Sequence, residues 1–166
     1  MFKKLFGVRD RKKEEVLFSP LSGKVLNLQE VPDPTFAQKM LGEGIAIEPF
    51  EGKVTSPVNG EIIQIFPTKH AVGILSESGL EVLIHIGIDT VSMDGEGFTA
   101  RVKAGDRVKV GQPLIDFSIE LVKEKAASTI TPMIITNSER IEQIDFESPS
   151  APVKSETVLM KVKVKS

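Results

Sequence analysis

The chain has no cysteine, no tryptophan and no tyrosine among its 166 residues, and only two histidines. Without thiols there are no disulfides, no thiolate nucleophiles and no sulfur ligands for structural zinc, a composition that suits a reducing compartment. No apolar run approaches the ~20 residues that span a bilayer, and the N-terminus lacks the apolar stretch of a secretory signal. An excess of charge is missing as well. The net charge is −2 and the pI is near 5.8, with basic residues dispersed among acids, which excludes the basic face of a nucleic-acid binder. A cytoplasmic protein with no nucleic-acid partner is expected. No apolar stretch demands a dimer, so the expected state is a monomer.

The length suits one domain, over residues 16–166, preceded by a flexible tail over 1–15. In that tail Phe2, Leu5 and Phe6 share one helical face, Lys3 and Lys4 fall off it, and Arg9, Arg11, Lys12 and Lys13 follow. Residues 1–13 thus suit weak contact with an anionic membrane surface. The other reading is a frayed, solvated end, because so short a helix is marginal in water.

What is present is a β cadence. Turn signals at Ser22-Gly23, Gly42-Glu43-Gly44, Asn59-Gly60, Ser78-Gly79, Gly95-Glu96-Gly97, Gly105-Asp106 and Gly111-Gln112 separate short runs of valine, isoleucine, leucine and phenylalanine. Strands are expected over 61–66, 80–88 and 160–164, with short helices over Ser118–Ala127 and Thr35–Leu41. Ser19-Pro20-Leu21-Ser22-Gly23-Lys24-Val25 returns thirty-seven residues later as Ser56-Pro57-Val58-Asn59-Gly60-Glu61-Ile62. The same offset carries Gly42 onto Gly79, Ile45 onto Val82 and Ile47 onto Ile84. The expected fold is therefore all-β: an antiparallel β-sandwich or barrel of two similar motifs packed about a pseudo-twofold, with one or two short helices.

The two histidines, His70 and His85, carry the chemistry. Imidazole has an ordinary pKa of ~6.5 and serves as nucleophile, proton carrier or metal ligand near neutrality. Val82, Ile84, Ile86 and Ile88 share one strand face, so His85 points with Leu83 and Gly87 to the other. A glycine at 87 is expected to let something outside the chain approach the backbone, with Asp89 placing negative charge at the rim. If 71–77 and 80–86 form a hairpin, His70 falls opposite about residue 86, close to His85. Such a pair fits a metal pair, an acid–base pair, or a phosphoryl-accepting histidine with a helper. Two histidines are half of a closed zinc site and nothing in the spacing supplies the rest, so no metal and no cofactor is expected. A Ser-His-Asp hydrolase lacks its Gly-x-Ser-x-Gly elbow. A phosphoryl acceptor needs only a neutral ring nitrogen in line with phosphorus, a carbonyl to fix the tautomer, and a neighbouring donor for the phosphoryl oxygens.

Several segments occurring in order are recognisable: Ser19-Pro20-Leu21-Ser22-Gly23, Val31-Pro32-Asp33, Phe36-Ala37, Gly42 to Ile47, Ser56 to Gly60, Thr68-Lys69-His70-Ala71, His85 to Val91, Gly95 to Phe98 and Val108 to Gly111. From about Val16 to the C-terminus the chain resembles the glucose-type enzyme IIA component of the bacterial phosphoenolpyruvate:sugar phosphotransferase system. The resemblance implies a phosphotransferase component. His85 would take a phosphoryl group from the histidine-containing phosphocarrier HPr and pass it to a cysteine on the IIB domain of a sugar permease. His70 would stabilise the phosphoryl group, Thr68 would orient His70, and the Gly87 carbonyl would hold the other nitrogen of His85. Asp33 and Asp89 would flank the site. Phe36, Met40, Leu41, Ile45 and Phe66 are the candidates for an apolar docking ring. Val72 and Leu83 stand where family members can carry phenylalanine, which makes the expected ring less aromatic here.

Other classes remain in competition at this point. A regulatory binding module, whose phosphorylation state selects its partners, would use the same surface. A lipoyl- or biotin-type carrier is suggested by the Gly105 to Gly111 turn and Met160-Lys161-Val162, but no half-motif follows Lys161. A metallopeptidase of related architecture lacks its ligands.

Overall fold

The structure, a computed structural model, describes residues 13–147, 149 and 151–166. The amphipathic segment expected at the N-terminus therefore lies, apart from Lys13, outside the described residues. The first strand, β1 (Glu14–Phe18), starts two residues ahead of the expected domain boundary, because Glu14 and Glu15 already pair with Lys163 and Val162. The chain continues through β2 (Gly23–Asn27), a four-residue helix α1 (Pro34–Ala37), β3 (Glu43–Pro49), β4 (Lys53–Thr55), β5 (Gly60–Ile65), β6 (Ala71–Ser76) and β7 (Glu81–His85). After a single-turn 3-10 segment, Thr90–Met93, come β8 (Phe98–Ala100), β9 (Arg107–Val108) and β10 (Pro113–Phe117). Helix α2 (Ile119–Lys125) precedes β11 (Thr131–Ile135), β12 (Ile141–Phe146) and β13 (Val158–Val164). Among the described residues no helix is long and apolar enough to cross a membrane.

All strand pairs are antiparallel. They form a seven-stranded sheet in the order β2-β3-β11-β7-β6-β5-β9 and two three-stranded sheets, β1-β13-β12 and β4-β10-β8. The two small sheets are copies of one another. Leu17 pairs with Met160 as Val54 pairs with Ile115, and a register shift follows at the same point in both. The repeated Ser-Pro turns explain why. Ser19 Oγ donates to the Leu21 carbonyl at 2.6 Å and Ser56 Oγ to the Val58 carbonyl at 2.7 Å, so each serine closes its own turn in a fully buried position. The turns then exchange backbone hydrogen bonds: Phe18 N–H donates to Pro57 O at 3.0 Å and Thr55 N–H to Pro20 O at 2.8 Å. That reciprocity is the pseudo-twofold.

A second equivalence lies outside the thirty-seven-residue offset. The Gly111 amide donates to Ser56 O and the Glu156 amide to Ser19 O, both at 2.9 Å. Both residues have positive φ, 87° and 71°. A Cβ on Gly111 would meet Glu156 Oε1 at 2.1 Å, so one copy is glycine because its mate's side chain fills the space.

The main core fills the space between the sheets, with Leu17, Ile47, Ile62, Ile84, Leu114 and Met160 fully buried. Each such side chain contributes roughly 1.5–3 kcal/mol relative to exposure. A smaller cluster of Leu26, Leu28, Val31, Phe36, Ala46, Ile88 and Ile134 covers the opposite face of the large sheet. The halves diverge here. The segment thirty-seven residues before β6 forms α1, so one copy supplies a strand and the other a helical cap. The expected helix over 35–41 is cut short where Lys39 turns to φ 58°, and that over 118–127 runs only from Ile119 to Lys125, capped by Ser118 Oγ on the Leu121 amide.

Candidate functional site

The hairpin of β6 and β7 sets the histidines in place. Ala71 pairs with His85, and the Ile86 amide donates to the His70 carbonyl at 2.7 Å, so His70 lies opposite Ile86 as the hairpin count requires. The rings meet edge to face, centroids 4.9 Å apart and planes at 81°. Val82, Ile84 and Ile86 point into the main core while His85 and Leu83 point away, as the alternation predicts. Ile88, expected on the core face, instead packs in the smaller cluster, because the strand ends at His85 and Gly87 turns to φ 71°. Phe66 packs its ring edge-on to His70 at 5.5 Å, and Phe36 from α1 lies 5.1 Å from His85. His70 is buried; His85 is half-buried.

Each ring has one nitrogen engaged. His85 Nδ1 lies 2.8 Å from the Gly87 carbonyl, which only accepts, so the proton is on Nδ1 and the lone pair is on Nε2. His70 Nδ1 lies 2.5 Å from Thr68 Oγ1. Burial lowers the pKa of His85, opposed by the Gly87 carbonyl and by the nearby carboxylates of Asp33 and Asp89. His70 is lowered to about 4, first by burial and then by the charge of His85. Both rings are thus neutral near pH 7, the state that attacks as a nucleophile.

Gly87 corrects one sequence expectation. It does not open the backbone to an outside molecule; its own chain fills the space. A Cβ there would stand 2.7 Å from Thr90 Cγ2 and 2.8 Å from the Ser128 carbonyl, and φ is 71°. The Gly87 amide donates to Thr131 Oγ1 at 3.3 Å, and Thr90 Oγ1 donates to the Ile86 carbonyl at 2.6 Å. Sequence reading quoted Thr90 only as part of the His85 to Val91 segment and gave it no role, and it missed Ser128 and Thr131, which lie more than forty residues from His85 with no local spacing to mark them.

The carboxylates sit on either side. Asp33 caps α1 through its side chain, Oδ1 accepting the Thr35 amide at 2.8 Å. Asp89 is exposed, in the left-handed region at φ 64°. Of the apolar ring, Met40 and Leu41 are exposed, 69% and 42%, and Phe66 is half-buried. Phe36 is buried and touches His85 rather than solvent. Ile45 is a correction: it points into the main core at 3% exposure and cannot meet a partner. Val72 is fully buried in that core too, so its departure from phenylalanine does not bear on the surface. Val91, 55% exposed just beyond Asp89, is an apolar surface residue the sequence reading left out. Among the described residues no group of three or more His, Cys, Asp or Glu side chains is arranged to hold a metal ion.

Comparison with known proteins fits this geometry. Residues 15–141 match the family model described as phosphoenolpyruvate-dependent sugar phosphotransferase system, EIIA 1. The chain is 52% identical to the glucose-specific EIIA component of Halalkalibacterium halodurans, covering 99% of each chain. It is 53% identical to that of Bacillus cereus, covering 99% of this chain and 100% of the relative. In structure it is similar to the glucose permease IIA of Mycoplasma capricolum, with a TM-score of 0.81 at 36% identity, over 90% of this chain and 96% of that one.

Proposed function

The chain belongs to the EIIA 1 family of the phosphoenolpyruvate-dependent sugar phosphotransferase system, and from that premise we propose that it is a phosphohistidine carrier. His85 accepts the phosphoryl group of phospho-HPr and delivers it to a cysteine on the IIB domain of a glucose-type permease. The observation that carries this reading is the His85 Nδ1 contact with the Gly87 carbonyl, which leaves Nε2 as the free nucleophile beside a second neutral imidazole.

In the forward step the Nε2 lone pair attacks phosphorus in line. A new N–P bond forms as the donor's P–N bond breaks, and the electron pair returns to the leaving imidazole. Thr68 donates its hydroxyl proton to His70 Nδ1, which keeps the ring proton of His70 on Nε2 and aims it at the phosphoryl oxygens, where negative charge needs a donor. Phe36 and Phe66 wall the pair with apolar surface and hold water away from the labile N–P bond. In the second step the cysteine thiolate attacks phosphorus and His85 recovers its lone pair.

Met40, Leu41, Val91 and Phe66 form the docking rim, with Asp33 and Asp89 set to meet basic groups of the partners. A contact near or below ~1,200 Å² suits a carrier that releases each partner in turn. Phosphorylation adds roughly −1.5 to −2 charges, by analogy with other phospho-residues, and that charge biases the choice between donor and acceptor. The reading carries with it a cytoplasmic monomer, because one His85 face must meet two partners alternately.

Incubation with phosphoenolpyruvate, enzyme I and HPr tests the proposal by intact mass. One acid-labile phosphoryl adduct on His85, absent from His85→Ala, is expected. No adduct, or full labelling of His85→Ala, overturns it.

A further inference from the structure

His85 aims its Nδ1 proton at the Gly87 carbonyl, so whatever fixes that carbonyl fixes the tautomer of the ring. Two peptide units flank Gly87, and all their polar groups are committed. In the first unit the Gly87 N–H donates to Thr131 Oγ1 at 3.3 Å, and the Ile86 carbonyl accepts from Thr90 Oγ1 at 2.6 Å. In the second the Ile88 N–H donates to the Ser128 carbonyl at 2.9 Å, and the Gly87 carbonyl accepts the His85 ring N–H at 2.8 Å. Thr131 gives its own hydroxyl proton to the Thr129 carbonyl at 3.0 Å, which leaves its oxygen free to accept the Gly87 N–H. Thr90 and Thr131 have no exposed surface, so water cannot stand in for either hydroxyl.

We propose that Thr131 and Thr90 are positioning residues for phosphoryl acceptance. Their hydroxyls grip the Ile86–Gly87 peptide from both sides, and the chain arrives at Gly87 with its carbonyl turned toward His85. The ring proton then stays on Nδ1 and the lone pair on the partner-facing Nε2. Were the Gly87–Ile88 peptide to rotate, Nδ1 would lose its acceptor; the proton would move to Nε2, and the lone pair would be buried on the wrong side of the ring. Valine at either position keeps the shape but leaves a buried backbone group without a partner, while serine keeps the hydroxyl. The consequence for transfer rests on the carrier reading above, whereas the clamp itself rests on geometry alone.

The test reads the tautomer directly, by long-range 15N NMR of histidine-labelled, unphosphorylated protein near pH 7. Wild type is expected to show the Nδ1–H form of His85. Thr131→Val and Thr90→Val are each expected to move population to the Nε2–H form and to slow acceptance from phospho-HPr by roughly fivefold or more, the scale of one lost hydrogen bond. Thr131→Ser is expected to restore both. If folded Thr131→Val or Thr90→Val keeps the wild-type tautomer, the proposal is overturned, even if that variant is less stable. It is equally overturned if Thr131→Ser behaves like Thr131→Val. Should Thr131→Val fail to fold, Thr90→Val decides alone. Because the tautomer is read without any phosphoryl donor, a wild type that takes no phosphate while its valine variants still show the tautomer shift sinks the carrier reading and leaves the clamp standing.

Discussion

His70 and His85 stand edge to face with ring centroids 4.9 Å apart, yet one is buried and the other only half-buried. The register that pairs Ala71 with His85 makes them neighbours, and in the carrier proposed above their different depths would divide the labour, the half-buried ring meeting a partner and the buried one supporting it.

His70→Gln is therefore expected to accept the phosphoryl group still, but to pass it on about 10²- to 10³-fold more slowly, the scale of one lost transition-state donor. Rapid-quench transfer from phosphorylated protein to a IIB domain measures this; normal onward transfer removes His70 from the mechanism.

The pH dependence of stability has a definite sign. His70 titrates at the ordinary 6.5 in the unfolded chain and at about 4 in the fold, so between those values the unfolded state binds more protons. The contribution is fully present above about 6.5 and is lost as pH falls toward 4. Denaturant titrations across that window should show His70→Gln gaining on wild type as pH drops. A parallel pair of curves would mean that His70 is not buried as a neutral ring.

Gly87→Ala forces a Cβ against Thr90 Cγ2 and the Ser128 carbonyl at positive φ. The expected loss is about 1–3 kcal/mol of stability, together with a lower rate of phosphoryl acceptance as the carbonyl is displaced. Chemical denaturation and labelled transfer measure the two effects separately. An alanine variant as stable and as active as wild type contradicts the tight fit.

Met40→Asp and Val91→Asp place charge on exposed apolar positions of the proposed docking rim. Each should weaken HPr binding by about 1–2 kcal/mol, seen as a raised KM, while unfolding free energy shifts by less than about 0.5 kcal/mol. Unchanged KM in both would move the docking rim elsewhere.

We propose that the basic N-terminal tail rests on anionic membrane. The Lys13 carbonyl accepts the Val164 amide at 2.7 Å, so truncation should stop at residue 12. Removing 1–12 is expected to leave transfer in solution intact and to reduce sedimentation with anionic vesicles; unchanged sedimentation would dismiss the membrane role.

Much of this molecule was legible in the sequence for a simple reason: the Ser-Pro turns are written out twice, and each buried serine closes its turn by donating to the carbonyl two residues on. The second equivalence, Gly111 with Glu156, was hidden because backbone hydrogen bonds and a shared positive φ define it, and unlike side chains satisfy both. The histidine pair could be read from strand alternation and hairpin length. Ile45 was misplaced because an isoleucine on the core face and one on the outer face look alike in a run that is buried on both sides. Gly87 was misread because a glycine that admits a partner and one crowded by its own chain leave the same letter.

The place of β11 has a consequence in time. This strand lies between β3 and β7, and Thr131 reaches Gly87 across 44 residues of chain. At roughly 5–20 residues per second of synthesis, both histidines leave the ribosome several seconds before the strand that steadies the turn beneath them. If the carrier and clamp proposed above hold, a nascent chain with a finished hairpin is expected to be an immature acceptor until the late strand has joined the sheet.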